Sequence, residues 1–280
     1  MTAVGTRGAG RPSPVRGLDV ISDVAPDVYC LGPRGRTQTD VYLVRSGASW
    51  TLVDAGWASD VPRIRQAAAA LFGSDVPPAA ILLTHDHPDH AGAALELARA
   101  WECAVYLHPA EMPIARGDFA AMTEYAGPLD RWVILPAMRA LGRRRREAIL
   151  ARSSLTEVVR AFDPAGPVPG LPDWELIPTP GHTPGHVSFF RRSDRVLISG
   201  DAALTLKVNS LSGFVMGASG LSGPPRYTTW SWASARESVA TLAGLEPTVL
   251  AAGHGPPLIG AGTADALRAF ADRLSGQATR

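Results

Sequence analysis

Residues 84–90 read Thr-His-Asp-His-Pro-Asp-His and contain the pattern H-x-H-x-D-H, carried by His85, His87, Asp89 and His90. Imidazole nitrogens and carboxylate oxygens are donors that divalent transition metals take in proteins. Histidine makes up only 7 of the 280 residues, so composition alone would produce the pattern in roughly 3 of 10,000 such chains. On a turn leaving a strand, His85 and His87 are alternate residues and point the same way. Asp89 and His90 begin the next helix and face the same hollow from another side, so one loop can feed two metal ions.

A zinc ion takes three or four N, S or O ligands, and the loop therefore needs closure from elsewhere. Three later segments offer suitable groups at a strand end or a turn. Thr179-Pro180-Gly181-His182-Thr183-Pro184-Gly185-His186 holds His182 and His186 around a rigid Pro/Gly turn, and either could serve as a ligand. Ser199-Gly200-Asp201 follows the apolar run Val196–Ile198, and Ala252-Gly253-His254-Gly255 follows Val249–Ala251. Sites on layered folds are commonly built at such junctions. His108, between Leu107 and Pro109, reads instead as a structural residue at a strand end.

The elements that must position these groups follow from apolar periodicity. Segments around Val28–Leu31, Val41–Val44 and Trp50–Val53 alternate like an antiparallel meander, with turn signals between them. A helix is expected over Asp60–Phe72, closed by Gly73, and a short apolar strand over Ala80–Thr84, buried on both faces. A helix from about Asp89 to Ala100, a strand at Val105–Leu107 and a mainly helical stretch over Pro109–Phe162, interrupted at Pro136 and Gly142, come next. Strands resume at Glu175–Ile177, Val187–Phe190 and Val196–Ile198, and residues 202–229, rich in Ser, Gly and Pro, read as a long loop. A helix at Ser231–Leu242, a strand at Val249–Ala251 and a helix at Thr263–Leu274 complete the pattern. Two packed β-sheets with helices on their outer faces would produce this order.

Apolar residues make up 46% and charged residues 19%, a balance that excludes an acidic disordered chain and a coiled coil. The formal charge of +1 gives no reason to expect nucleic acid or an anionic membrane as a partner, and a small-molecule substrate fits better. Two cysteines, Cys30 and Cys103, are too few for a disulfide framework and read as apolar fillers. Residues 1–17 lack an apolar h-region and are expected to be disordered, ahead of a single domain over 18–280. No run reaches the ~18 apolar residues of a membrane span, so the expected location is the cytoplasm.

On these residues the chain resembles the metallo-β-lactamase superfamily, from about Val28 to Ile259. The likeness rests on Leu52-Val53-Asp54-Ala55-Gly56, the H-x-H-x-D-H loop, the T-P-G-H-T-P-G-H turn, Gly200-Asp201 and Gly253-His254-Gly255. It implies an α/β (α+β) fold, the αββα sandwich, with its site along one edge of the two sheets. It also implies His85, His87 and His182 on a first metal and Asp89, His90 and His254 on a second, with Asp201 bridging. Two zinc ions are the implied cofactor, with iron or manganese as alternatives. The implied reaction is hydrolysis by a metal-bridging hydroxide, in which Asp89 orients that hydroxide or passes its proton to the leaving group. The family pattern favours His182 over His186. Asp54 is expected to tie the site loops together by hydrogen bonds from behind the ligands.

Departures from known branches narrow the substrate. Only 26 residues, 255–280, follow His254, room for one helix and not for the C-terminal domain of glyoxalase II. Acyl-homoserine-lactone lactonases commonly carry a tyrosine three residues after the bridging aspartate, where Leu204 stands here. Asp201 and the missing signal peptide argue against an antibiotic-degrading β-lactamase, and His87 argues against a flavodiiron protein. The expected activity is cleavage of a thioester, lactone or carboxylic ester. A phosphodiesterase or nuclease, a mononuclear iron enzyme resembling persulfide dioxygenases, and a metal-binding regulator without turnover are the alternatives. Between His90 and His182 lie 91 residues, more than the sandwich needs. The excess, a helical insertion at 109–162, holds Trp132, Leu135, Met138 and Leu141 beside Arg143-Arg144-Arg145-Arg146. It reads either as a cap over the cleft, with Trp132, Leu135 or Met138 lining an apolar pocket beside the metals and Phe214 and Tyr227 in another wall, or as a solvated or homodimer surface.

Overall fold

Alternation along the strands decides which layer each side chain enters. In β3 (Thr39–Ser46), Val41 and Leu43 belong to one apolar cluster while Tyr42 and Val44 belong to another. In β4 (Ser49–Val53) Leu52 and Val53 divide in the same way, as do Ile81 and Leu82 of β5 (Ala80–Leu82). Successive Cβ atoms of a strand point to opposite faces, so a strand covered on both sides reads as a continuous apolar run. A computed structural model describes residues 21–35, 37–163, 166–210 and 216–276, and the expectation for 1–17 lies outside them.

The first sheet has seven strands in sequence order: β1 (Ile21–Ala25), β2 (Val28–Arg34), β3, β4, β5, β6 (Val105–Leu107) and β7 (Val159–Ala161). Its β1–β4 half is antiparallel and its β4–β7 half parallel. The second sheet is formed by β8 (Trp174–Pro178), β9 (Val187–Arg191), β10 (Val196–Gly200), β13 (Val249–Ala252) and β14 (Leu258–Ile259), in the spatial order β14-β13-β10-β9-β8. Between the sheets, Val28, Tyr42, Val53 and Leu82 pack with Phe189, Ile198 and Ala251.

Helices close both outer faces. Ile64, Ala67 and Ala68 of α1 (Val61–Phe72) and Leu97 and Ala98 of α3 (Ala94–Trp101) cover Trp50, Leu52 and Ile81. Val239 and Leu242 of α8 (Trp232–Gly244) and Leu267 and Phe270 of α9 (Thr263–Gly276) cover Leu197 and Leu250 of the second sheet. Each buried Ile, Leu, Val or Phe among them is worth ~1.5–3 kcal/mol, and the helix-sheet-sheet-helix order is the expected αββα sandwich.

Three expectations need correction. The stretch 109–162 is built of short helices, α4 (Met112–Ala115), α5 (Phe119–Glu124), α6 (Leu135–Ala140) and α7 (Arg143–Ser153), but it ends in strand β7. That strand has only Val159 buried, so no apolar period announces it. Pro136 does not end a helix: the π-helical turn Asp130–Ile134 runs without a break into α6, and Pro136 stands just after that wider turn within the continuous run. Residues 202–229 are not all loop, because β11 (Leu204–Leu206) pairs antiparallel with β12 (Ser219–Ser222).

Candidate metal centre

The cluster forms where strands of both sheets end. β5 delivers Thr84 and His85, and α2 (Pro88–Ala91) starts directly after His87 and supplies Asp89 and His90. From the second sheet, the turn before β9 supplies His182, the end of β10 supplies Asp201 and the end of β13 supplies His254. The parallel pairing of β10 with β13 brings Asp201 and His254 side by side, and Gly253 N–H donates to Gly200 C=O at 2.8 Å. Gly253 is required here: a Cβ would run into Asp201 Oδ1 and lie 2.9 Å from His90 Cε1.

Three ligand-sized groups result: His85, His87 and His182; Asp89, His90 and His254; and His85, His90 and Asp201. Within each, the donor atoms all lie within 4.8 Å of one another. His87 Nδ1 is 3.0 Å from His85 Nε2 and 2.9 Å from His182 Nε2. Asp201 Oδ1 lies 3.3 Å from His90 Nε2 and 3.4 Å from His254 Nε2, while its Oδ2 lies 3.3 Å from His182 Nε2. Asp89 Oδ2 is 3.4 Å from His254 Nε2. All seven residues singled out in the sequence meet in one hollow.

Outer partners fix which nitrogen faces inward. His90 Nδ1–H donates to Asp54 Oδ2 at 2.8 Å, and His254 Nδ1–H donates to the Thr37 carbonyl at 2.8 Å. The Thr84 hydroxyl donates to Asp54 and so accepts from His85 Nδ1, at 3.0 Å. The Thr229 hydroxyl donates to the Pro225 carbonyl and so accepts from His182 Nδ1, at 3.3 Å. Each of the four rings thereby turns Nε2 into the hollow. Asp54, expected as a support, holds both a ligand and the loop that carries one, with a left-handed backbone at φ 59°. A non-glycine residue there is strained, as is common at functional sites.

His186 is occupied differently. Its Nδ1 meets the Thr179 hydroxyl at 2.8 Å and its Nε2 accepts from the Asp201 backbone N–H at 3.0 Å, so both nitrogens are engaged within the protein. Burial pushes its pKa down to about 3, keeping it neutral. His108 accepts from Ala110 N–H and caps a short turn, a structural use.

The donor set fits cations. Imidazole lone pairs and carboxylates face one another, and Asp201 Oδ1 is buried with no hydrogen-bond partner. Buried acceptors without a donor are costly. Burial lowers the pKa values of His85 and His182, leaving them neutral and ready to coordinate. For His90 and His254 burial acts the same way and is the largest single influence, but the neighbouring carboxylates together, Asp201 foremost with Asp89 and, for His90, Asp54, raise both. Positive charge is thus drawn to the spot between the carboxylates.

Glu111, like Thr229, escaped the sequence reading of this centre. Glu111, fully buried, accepts from Gly185 N–H at 2.6 Å and from Asp86 N–H at 3.3 Å, tying the two histidine-bearing loops together. Its position in the first turn of a helix makes it read as an ordinary end carboxylate. Asp86 stands beside it, and burial, then Glu111, raise its pKa to about 7.

The centre forms one end of a cavity of about 1250 Å³. Leu135 lines it as expected, and so does Tyr227, whereas Trp132 is 77% exposed and neither it nor Met138 is among the lining residues. Side chains a helical step away from Leu135 point to the other side of the run, and over Asp130–Ala140 only Leu135 is buried. Phe214, expected in the same wall, lies outside the described residues.

The model of the metallo-beta-lactamase superfamily matches residues 34–254. The chain belongs to that superfamily. It is 38% identical over 229 residues to the probable metallo-hydrolase YflN of Bacillus subtilis (strain 168), an alignment covering 81% of this chain and 83% of that one. Among solved structures, the metallo-beta-lactamase family protein TTHA1429 from Thermus thermophilus superposes with a TM-score of 0.60 at 23% identity, over 92% of this chain and 81% of that one, a likeness of fold. TTHA1623, solved in a di-iron-bound form, superposes with a TM-score of 0.50 at 27% identity, over 81% of this chain and 92% of that one. No helix among the described residues is long and apolar enough to cross a membrane.

Proposed function

We propose that the chain is a zinc-dependent hydrolase of an ester-like bond, a thioester, lactone or carboxylic ester, in a small cytoplasmic molecule. His85, His87 and His182 hold one metal ion, Asp89, His90 and His254 a second, and Asp201 is shared. The supporting observation is the convergence of imidazole nitrogens and carboxylate oxygens within 4.8 Å of one another, with Asp201 Oδ1 buried and unpartnered, at the end of a cavity large enough for a substrate. Bound there, two divalent cations supply Lewis acidity and a water ionised near neutral pH.

The protein's own groups do the rest. Asp54 and the Thr37 carbonyl hold His90 and His254 in one tautomer, so the ligands need no reorganisation. Asp89 is half-buried and lines the cavity, where its carboxylate can take a proton and return it to a leaving group. Burial, then Asp201 and Asp89, raise the Tyr227 pKa, so its phenol stays protonated and can donate a hydrogen bond to a substrate carbonyl oxygen. No side-chain nucleophile is required.

A panel of p-nitrophenyl acetate, a thioester, a lactone and bis-p-nitrophenyl phosphate tests this reading. Expected is ester or thioester cleavage abolished by a chelator and restored by zinc. Cleavage of the phosphodiester alone would replace it with a phosphodiesterase, and restoration by iron but not zinc would change the metal.

A further inference from the structure

Building on the hydrolytic reading, we infer that the substrate is an acyl compound with a long hydrocarbon chain, held between the insertion helices and α3. The cavity of about 1250 Å³ exceeds the usual ~300–1,000 Å³ of a small-molecule pocket. One end carries His87, Asp89, His182, Asp201 and His254. The remainder is walled by short helices: Ile114 of α4, Met122 of α5, Leu129 and Leu135 around α6, and Leu150 of α7, facing Leu95 of α3. Apolar surface of this extent, continuous with a hydrolytic centre, is filled by hydrocarbon at a gain of free energy and by water at a cost.

Charge is distributed to suit such an occupant. None of Arg143, Arg144, Arg145 and Arg146 lines the cavity, and Arg146 stacks on the Phe119 ring at 4.3 Å, so the basic run offers no subsite for an anionic tail. Two arginines do reach the wall, Arg99 and Arg152; both are exposed, and Arg99 is paired with Glu157. At the metal end, by contrast, the Thr183 hydroxyl is buried, lines the cavity and has no hydrogen-bond partner. An unpartnered hydroxyl beside His182 suits the ester or amide oxygen of a head group. A polar group without a partner thus sits at the reacting end, while the long arm is walled mainly by apolar side chains, with charged side chains such as Glu96 and Arg152 exposed at its margin.

The test uses the zinc-loaded full chain with p-nitrophenyl esters from acetyl to tetradecanoyl, together with calorimetric binding of tetradecanoate and acetate. The value of kcat/KM should rise about fourfold per added methylene until the arm is filled, and tetradecanoate should bind where acetate does not. Met122→Trp should move the optimum to shorter chains with metal content intact, and Leu150→Trp gives the same test should the first variant fail to fold. Acetate and tetradecanoate esters cleaved equally well, or an optimum unmoved by both variants, would overturn the inference and leave the hydrolase standing. If no ester is cleaved, the hydrolytic reading fails, and binding alone decides: saturable tetradecanoate binding weakened by Met122→Trp sustains the chain pocket, and its absence ends it.

Discussion

The loops at the sheet edge and the helices of 112–153 border the same cavity but are held by different forces. At the metal centre, His85, His90, His182 and His254 each have a named hydrogen-bond partner behind the ring, and all four are buried. In the insertion, α7 has no buried residue, nor does the turn Asp130–Ile134 that precedes α6, and Trp132, Val133 and Ile149 face outward. Rigid sheets hold the reactive groups, while short, sparsely packed helices shape the space beside them. A segment with few buried contacts is cheap to move or to change, so chemistry and selectivity are carried by separable parts of the chain.

Substitutions at the two regions should therefore differ in kind. Asp201→Ala removes the carboxylate shared by both groups of ligands and should lower kcat by ~10³-fold or more, with loss of metal. His186→Ala, which removes only a partner of the Asp201 backbone, should lose far less of either. Equal losses in the two variants would contradict the assignment of His182 rather than His186 as ligand. Asp54→Asn leaves the shape intact but weakens the grip on His90 and Thr84, and metal affinity measured by competition with a chelator should fall ~10–100-fold.

Glu111→Gln sharpens the boundary between the regions, because Glu111 begins the insertion yet grips both metal loops. A loss of up to ~10-fold in metal affinity is expected, with global stability little changed. An unchanged affinity would place Glu111 with the insertion rather than the centre. Trp132→Ala, at the far extreme, should alter stability by no more than ~0.5 kcal/mol and leave metal content and turnover as they are. A large effect on denaturant unfolding that depends on protein concentration would show that its face is covered in solution by a second copy of the chain.

The same division explains what could be read in the sequence. H-x-H-x-D-H, G-D and G-H-G stand out because histidine is rare and because each follows an apolar strand whose direction is set by two packed faces. Glu111 and Thr229 did not, since a helix-start glutamate and a loop threonine have many uses and only the fold brings them to the ligands. Strand β1 was missed because Ile21-Ser22-Asp23-Val24-Ala25 has a single buried residue. Trp132 and Met138 were expected in the pocket on apolarity alone, but over Asp130–Ala140 only Leu135 is buried, so one face of that helical run stays uncovered. Leu204 stands where related lactonases commonly carry a tyrosine, and Tyr227, 23 positions further along the chain, supplies a phenol to the same cavity from a separate loop.

Elemental analysis of the purified full chain, titrated with zinc and then freed of excess, tests the central claim most directly. Two metal ions per chain are expected, falling to one or none in Asp201→Ala. Saturation at a single ion in the unaltered chain would contradict the two-metal centre.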